Sequence, residues 1–89
     1  MALNGAHVAI ETPLPVADLE QVLSALSLGT PFRLESIERI GPDVHRCEFG
    51  LSRPGIVVGF GNVIDLQFRI AREFDIVSVE RRPALSTPV

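Results

Sequence analysis

The amino-acid sequence predicts a small α+β domain of the order β-α-β-β-α-β, with two helices covering one face of an antiparallel sheet. The chain has 89 residues, enough for one domain, and 46% of them are hydrophobic. Apolar residues alternate with polar ones in some segments and recur with helical spacing in others. Glycine and proline separate these segments. The order of the segments gives the predicted fold class.

The first strand and the first helix are separated by a loop rich in proline. Residues 7–11 form a β-prone run, and the Thr-Pro-Leu-Pro loop at 12–15 ends it because proline lacks the N–H that a sheet requires. From Val16 the apolar positions 16, 19, 22, 23 and 26 share one helical face. Gly29 suits the left-handed end of a helix, and Pro31 prevents its continuation. The pattern predicts a helix over residues 15–28.

Two further runs, residues 32–40 and 44–51, predict a β-hairpin. They are separated by Gly41-Pro42-Asp43, and proline followed by aspartate suits the centre of a tight turn. In the second run one alternating set is apolar and predicts the core face: His45, Cys47, Phe49 and Leu51.

The apolar run at residues 56–60 predicts an additional short strand or an exposed loop. Either would expose apolar side chains that sheet edges usually hide. We therefore expect a protein interface at the apolar side chains of this run: Ile56, Val57, Val58 and Phe60.

Residues 62–74 are compatible with a helix or a strand, and the fold depends on the choice. Asn62 is a suitable N-cap, and about twelve residues is an ordinary length for a helix but long for a strand. We therefore predict a helix in which Asp65 and Arg69 share the solvent face and Ala71 is buried, so that Ala71→Glu would destabilise the protein by several kcal/mol. The alternative is one helix packed on a β-meander of five or six strands.

A last strand is predicted over residues 75–81, giving a single domain at 1–82 and a flexible tail at 83–89. The resulting layout resembles the ferredoxin-like fold. Within it, residues 71–80 (AREFDIVSVE) resemble the end of an ACT-type regulatory domain, where a helix runs into a final strand. That resemblance implies a small-ligand sensor. ACT domains that bind amino acids usually carry a glycine between the first strand and first helix, and the loop at 12–15 has none, so no site residue is transferred.

Composition excludes several classes of partner and location. The net charge is −3 and all eight basic residues are arginine, without a basic stripe, so a nucleic-acid surface is not expected. No apolar run has the length of a membrane span, and the first residues lack the features of a signal peptide. One cysteine excludes an internal disulfide and fits the cytoplasm. The absence of lysine indicates a GC-rich genome, and we expect a bacterial or phage source.

The sequence carries no motif for catalysis, metal binding or a cofactor. His45 and Cys47 lie about 7 Å apart on a strand, too far for a nucleophile–base hydrogen bond, and no zinc-ligand spacing occurs. Gly59-Phe60-Gly61 lacks the third glycine of a dinucleotide loop and the lysine of a Walker loop. Interleaved acids and arginines on the strands predict cross-strand ion pairs rather than catalytic carboxylates.

The predicted function is therefore that of a non-enzymatic protein-interaction or dimerisation module. A small domain with so many apolar residues is expected to bury some of them by forming a homodimer or by docking on a larger protein. The first alternative is an ACT-like ligand sensor, and the second is a small enzyme without a recognisable motif.

Overall fold

The computed structural model describes residues 3–53, 56 and 58–83 and contains four strands and two helices within them. In chain order these are β1 (Leu3–Glu11), α1 (Val16–Ser27), β2 (Phe32–Gly41), β3 (Val44–Leu51), α2 (Phe60–Glu73) and β4 (Asp75–Pro83). The element order is the predicted one. The β-meander alternative is wrong, because residues 60–73 form a helix of 14 residues. Residues 84–89, which hold most of the predicted tail, lie outside the described residues.

The four strands form one antiparallel sheet in the order β2-β3-β1-β4. β1 lies at the centre, where Val8 pairs with Cys47 of β3 on one side and with Val79 of β4 on the other. The predicted additional strand at residues 56–60 is not part of the described sheet, because residue 56 and residues 58–59 are irregular and α2 already begins at Phe60.

The core lies between one face of the sheet and both helices. Alternate residues of β1 and β3, among them Ile10 and Phe49, are buried in the same cluster as residues of α1 and α2. Side chains from both helices meet the same strand face, so the two helices cover one side of the sheet. The members of the cluster are Val8, Ile10, Leu19, Leu23, Phe32, Cys47, Phe49, Val58, Val63, Leu66 and Ile70.

The end of α1 and the β2–β3 turn follow the local signals of the sequence. Gly29 adopts a φ of 84°, the left-handed conformation predicted for the residue after the helix. In the hairpin turn Asp43 adopts a φ of 57°, which aspartate tolerates better than most residues. The backbone N–H of Thr12 donates to the carbonyl oxygen of Asp43 at 2.6 Å, so the turn is tied to the end of β1.

Gly5 of β1 is required by the close approach of β3, and its replacement is expected to destabilise the fold. A Cβ atom at this position would lie 2.7 Å from the carbonyl oxygen of Phe49, and backbone cannot move aside as a flexible side chain can. We expect Gly5→Ala to lower the free energy of unfolding by about 1–3 kcal/mol. Denaturant unfolding measures the loss. The control is Gly61→Ala in α2, where a Cβ would meet no described residue within 4 Å and alanine should be neutral or slightly stabilising.

Neither helix of the described residues has both the length and the hydropathy needed to cross a membrane.

Candidate interaction surface

Helix α2 presents apolar side chains on two different faces. Its inner face packs into the core through Val63, Leu66 and Ile70, each 2% exposed or less. At 3.6 residues per turn, a second apolar set lies about 120° further around the helix. We call this set the outer face of α2, and it consists of Phe60, Ile64 and Phe68, which are 51%, 47% and 64% exposed. A helix that packs against one sheet needs only one apolar face, so the outer face requires a separate explanation.

The predicted burial of Ala71 is wrong. It is exposed on the same side of α2 as Ile64 and Phe68. The prediction assumed that all apolar residues of the helix face the sheet, whereas only one arc does. Ala71→Glu is therefore expected to change stability by no more than about 0.5 kcal/mol.

The first turn of α2 is closed by a reciprocal pair of hydrogen bonds rather than by the predicted Asn62 N-cap. Gly59 is the N-cap, and its N–H donates to Oδ1 of Asn62 at 3.2 Å. The N–H of Asn62 donates in return to the carbonyl oxygen of Gly59 at 3.2 Å. Gly59-Phe60-Gly61 is thus the start of a helix.

Arg69 fixes α2 to the end of α1. Its Nε donates to Oδ2 of Asp65 at 3.1 Å, and its Nη1 donates to the carbonyl oxygen of Leu28 at 2.9 Å. Leu28 is the C-cap of α1, where unsatisfied carbonyl groups favour a cation. The prediction that Asp65 and Arg69 share the solvent face of the helix is confirmed. The contact sets the position of the outer face relative to the rest of the molecule.

The residues of the interface predicted at 56–60 lie in different surroundings in the structure. Phe60 is half exposed and belongs to the outer face of α2, whereas Val58 is 1% exposed and part of the core. Val58 is therefore not accessible to a partner, because its side chain is buried in the core cluster. Ile56 is partly buried against the core, and Val57 lies outside the described residues.

Cys47 has no exposed surface, as predicted from its alternation on β3. Burial raises the pKa of its thiol from the ordinary 9.0 to about 12, because the charged thiolate is desolvated in the core. We expect no rapid reaction with a thiol reagent under native conditions. Cys47→Ser is expected to cost about 1–3 kcal/mol, since a hydroxyl would be buried without an assured partner.

The raised pKa of Cys47 also predicts a loss of stability at alkaline pH. Above pH 9 the unfolded chain releases the thiol proton while the folded chain keeps it until about pH 12, so the free energy of unfolding falls across this window. The slope is at most about 1.4 kcal/mol per pH unit. Lysine and tyrosine are absent, which leaves the thiol as the side chain that titrates here. Unfolding midpoints at pH 8 to 11 would measure the fall, and Cys47→Ser should not show it.

His45 is also buried, at 3% exposed, and its Nδ1 atom has no hydrogen-bond partner among the residues that the structure describes. It lines a shallow cleft of about 410 Å³ between the loop at 13–15, the start of α1, and the side chains of Arg39 and Asp43. Arg39 donates through Nε to the carbonyl oxygen of Gly41 at 3.2 Å. The cleft brings together residues of both strands of the hairpin with the loop that ends β1.

The open face of the sheet carries charged side chains on β1, β2 and β3. Glu38 of β2 faces Arg46 of β3 in register, and Nδ1 of His7 lies 4.0 Å from Oε2 of Glu48, an ion pair when the imidazole is protonated. Glu38 and Arg46 are cross-strand neighbours of the kind expected from the interleaved acids and arginines, whereas the contact of His7 with Glu48 was not predicted. Within the part of the chain that the structure describes, no group of three or more histidine, cysteine, aspartate or glutamate side chains could hold a metal ion.

Sequence reasoning found Phe60 but missed Ile64 and Phe68 as surface residues. The signal that would have found them is the width of the apolar arc of α2. Positions 63, 66 and 70 already supply one face, and positions 60, 64 and 68 add a second at four-residue spacing.

Comparison with known proteins gives a structural match without a function. No family model matches the chain, and no curated protein matches it. The chain is similar to part of the crystal structure of the TT0538 protein from Thermus thermophilus, with 28% sequence identity and a TM-score of 0.81. The match covers 96% of this chain but 21% of that protein, so the chain spans about a fifth of its length.

Proposed function

We propose that the chain is a non-enzymatic protein-interaction module that docks through the outer face of α2. The observation that carries the proposal is the exposure of Phe60, Ile64 and Phe68 together on one side of a regular helix. Single exposed apolar residues are normal, but clustered aromatic and aliphatic side chains are typical of interfaces.

The surroundings of the outer face support a docking role. The helix beneath it is held rigidly, because its inner face is buried in the core and Arg69 joins it to α1. A rigid surface loses little conformational entropy on binding. The similarity to about a fifth of the TT0538 protein shows a similar fold as one part of a longer chain. The strand order β2-β3-β1-β4 supports the ferredoxin-like layout.

Site-specific photo-crosslinking in cells tests the proposal without assuming the identity of the partner. A benzophenone analogue of phenylalanine at position 68 is expected to give a discrete protein adduct. The matched control places the same analogue at position 21, which is exposed on α1. The adduct should disappear when Ile64→Asp is introduced beside the probe. Equal adducts at both positions, or no adduct at position 68, would contradict the proposed function.

A small-ligand sensor of ACT type is the second candidate, and the cleft beside His45 favours it. A buried imidazole nitrogen without a partner is unusual, and Arg39 lines the same cleft. Calorimetric titration of the chain with individual amino acids would test this candidate. Saturable binding that is lost in Arg39→Gln supports a sensor, and the absence of binding across the set would exclude amino acids as its ligands.

A further inference from the structure

We propose that the partner of the outer face is a second copy of this chain, with the two α2 helices packed antiparallel about a twofold axis. The inference rests on the proposed function and adds the identity of the partner and the register of the contact.

Four residues on the exposed side of α2 have the spacing of a helix–helix contact, and we call these four residues the seam. Gly61, Ile64, Phe68 and Ala71 are separated by three, four and three residues, the spacing of alternating core positions in a coiled coil. All four are exposed. A Cβ added at Gly61 would meet nothing within 4 Å, so nothing else in the described molecule covers this end of the seam.

The order of side-chain sizes along the seam is the same in both directions. Small residues stand at its ends and large residues at its centre. An antiparallel copy therefore places Ile64 against the partner's Phe68, and Gly61 against the partner's Ala71. The small residues at the ends let the two helices approach closely while the large ones fill the centre. A parallel copy would instead place Gly61 beside the partner's Gly61 and leave a gap at that end.

The charges beside the seam favour the same arrangement. Asp65 and Arg72 lie along one flank of the seam, seven residues apart and therefore on the same side of the helix. Helical side chains lean toward the N-terminus, so in the antiparallel register each Asp65 reaches toward the partner's Arg72. The twofold axis produces this opposite-charge pair twice. Arg72 is exposed and forms no ion pair within the described part of the chain, whereas Asp65 already binds Arg69.

The size of the surface predicts a weak dimer. Each of the two exposed phenylalanines offers on the order of 100 Å² of accessible area. A stable interface buries about 800 Å² per partner. The area that the seam and its flanks can bury is smaller than this. We therefore expect association in the micromolar range, and measurements must extend across it.

Sedimentation equilibrium of the 89-residue chain tests the inference. The chain is expected to approach twice its mass of 9.7 kDa as its concentration rises through the micromolar range. Asp65→Arg and Arg72→Asp should each weaken dimerisation about tenfold, because two attractive pairs become repulsive. Each variant places like charges across the axis when it pairs with itself. An equimolar mixture of the two variants should recover the dimer, since both cross-axis pairs are then of opposite charge.

Controls separate a lost contact from a lost fold. Glu20→Arg changes the charge of an exposed residue on α1 and should leave dimerisation unchanged. The unfolding midpoint of each variant must stay close to that of the native chain. Ile64→Asp should abolish association without unfolding the monomer, because the side chain is 47% exposed.

A native chain that remains monomeric throughout the micromolar range would overturn the inference, as would a dimer insensitive to Ile64→Asp. Failure of the mixed variants to recover the dimer would overturn the antiparallel register. If the native chain is monomeric but position 68 crosslinks to another protein in cells, the second-copy inference fails and the proposed docking function stands. If position 68 gives no adduct and the chain is monomeric, both fail.

Discussion

Replacement of Phe49 by alanine is expected to lower the free energy of unfolding by about 3–5 kcal/mol. Phe49 is 2% exposed on β3, lies in register with Ala6 of β1 and Leu34 of β2, and belongs to the core cluster. Removal of the ring leaves a cavity that rigid neighbouring strands cannot close. Equilibrium unfolding in urea, at a protein concentration low enough to keep the chain monomeric, measures the loss.

The control is the same substitution at the surface. Phe68→Ala removes an identical side chain that is 64% exposed, and it should cost less than about 1 kcal/mol in the monomer. Equal losses for the two variants would mean that the ring of Phe68 is buried within the monomer. The outer face of α2 would then not exist as a surface.

Leu66→Ala is expected to lower the free energy of unfolding by about 2–5 kcal/mol. Leu66 is 1% exposed and lies on the inner face of α2, between Val63 and Ile70. The matched variant Ile64→Ala, two residues away in the same helix, should cost less than about 1 kcal/mol. Both changes are to alanine, the best helix former, so helix propensity does not explain a difference between them.

The Leu66 and Ile64 pair tests which side of α2 faces the sheet. A larger loss at Ile64 than at Leu66 would require the helix to be rotated about its axis. Urea unfolding of both variants, at a concentration that keeps the chain monomeric, measures the two losses of stability.

The sequence predicted the elements of the fold well because the signals for them are local. Gly29 and Asp43 adopt the left-handed conformations that end a helix and form a tight turn. At residues 60–73 the periodicity was compatible with a helix and with a strand, and the length of the segment correctly favoured the helix. Cys47 was correctly assigned to the core. In a strand with one buried face, side chains alternate between the core and the solvent, and the apolar neighbours of Cys47 identified the set that faces the core.

The candidate site was predicted less well because it depends on tertiary packing. Periodicity shows that a helix has an apolar arc, but it does not show which part of a wide arc meets the sheet. Ala71 was placed inside for this reason and lies outside. Val58 was assigned to an exposed run, yet it is buried in the core. The sequence did not reveal this, because a loop residue carries no periodic signal for burial. Of the interface residues predicted, Phe60 remains on the proposed surface.

The most direct test of the outer face as the contact surface between two copies of this chain is the concentration dependence of backbone amide chemical shifts. Spectra of the 15N-labelled chain would be compared from low to high micromolar concentration. Changes confined to α2, centred on Ile64 and Phe68 and lost in Ile64→Asp, are the predicted result. Changes centred on the edge strand β2 or on the open face of the sheet would contradict a dimer formed through the outer face, as would spectra that do not depend on concentration at all.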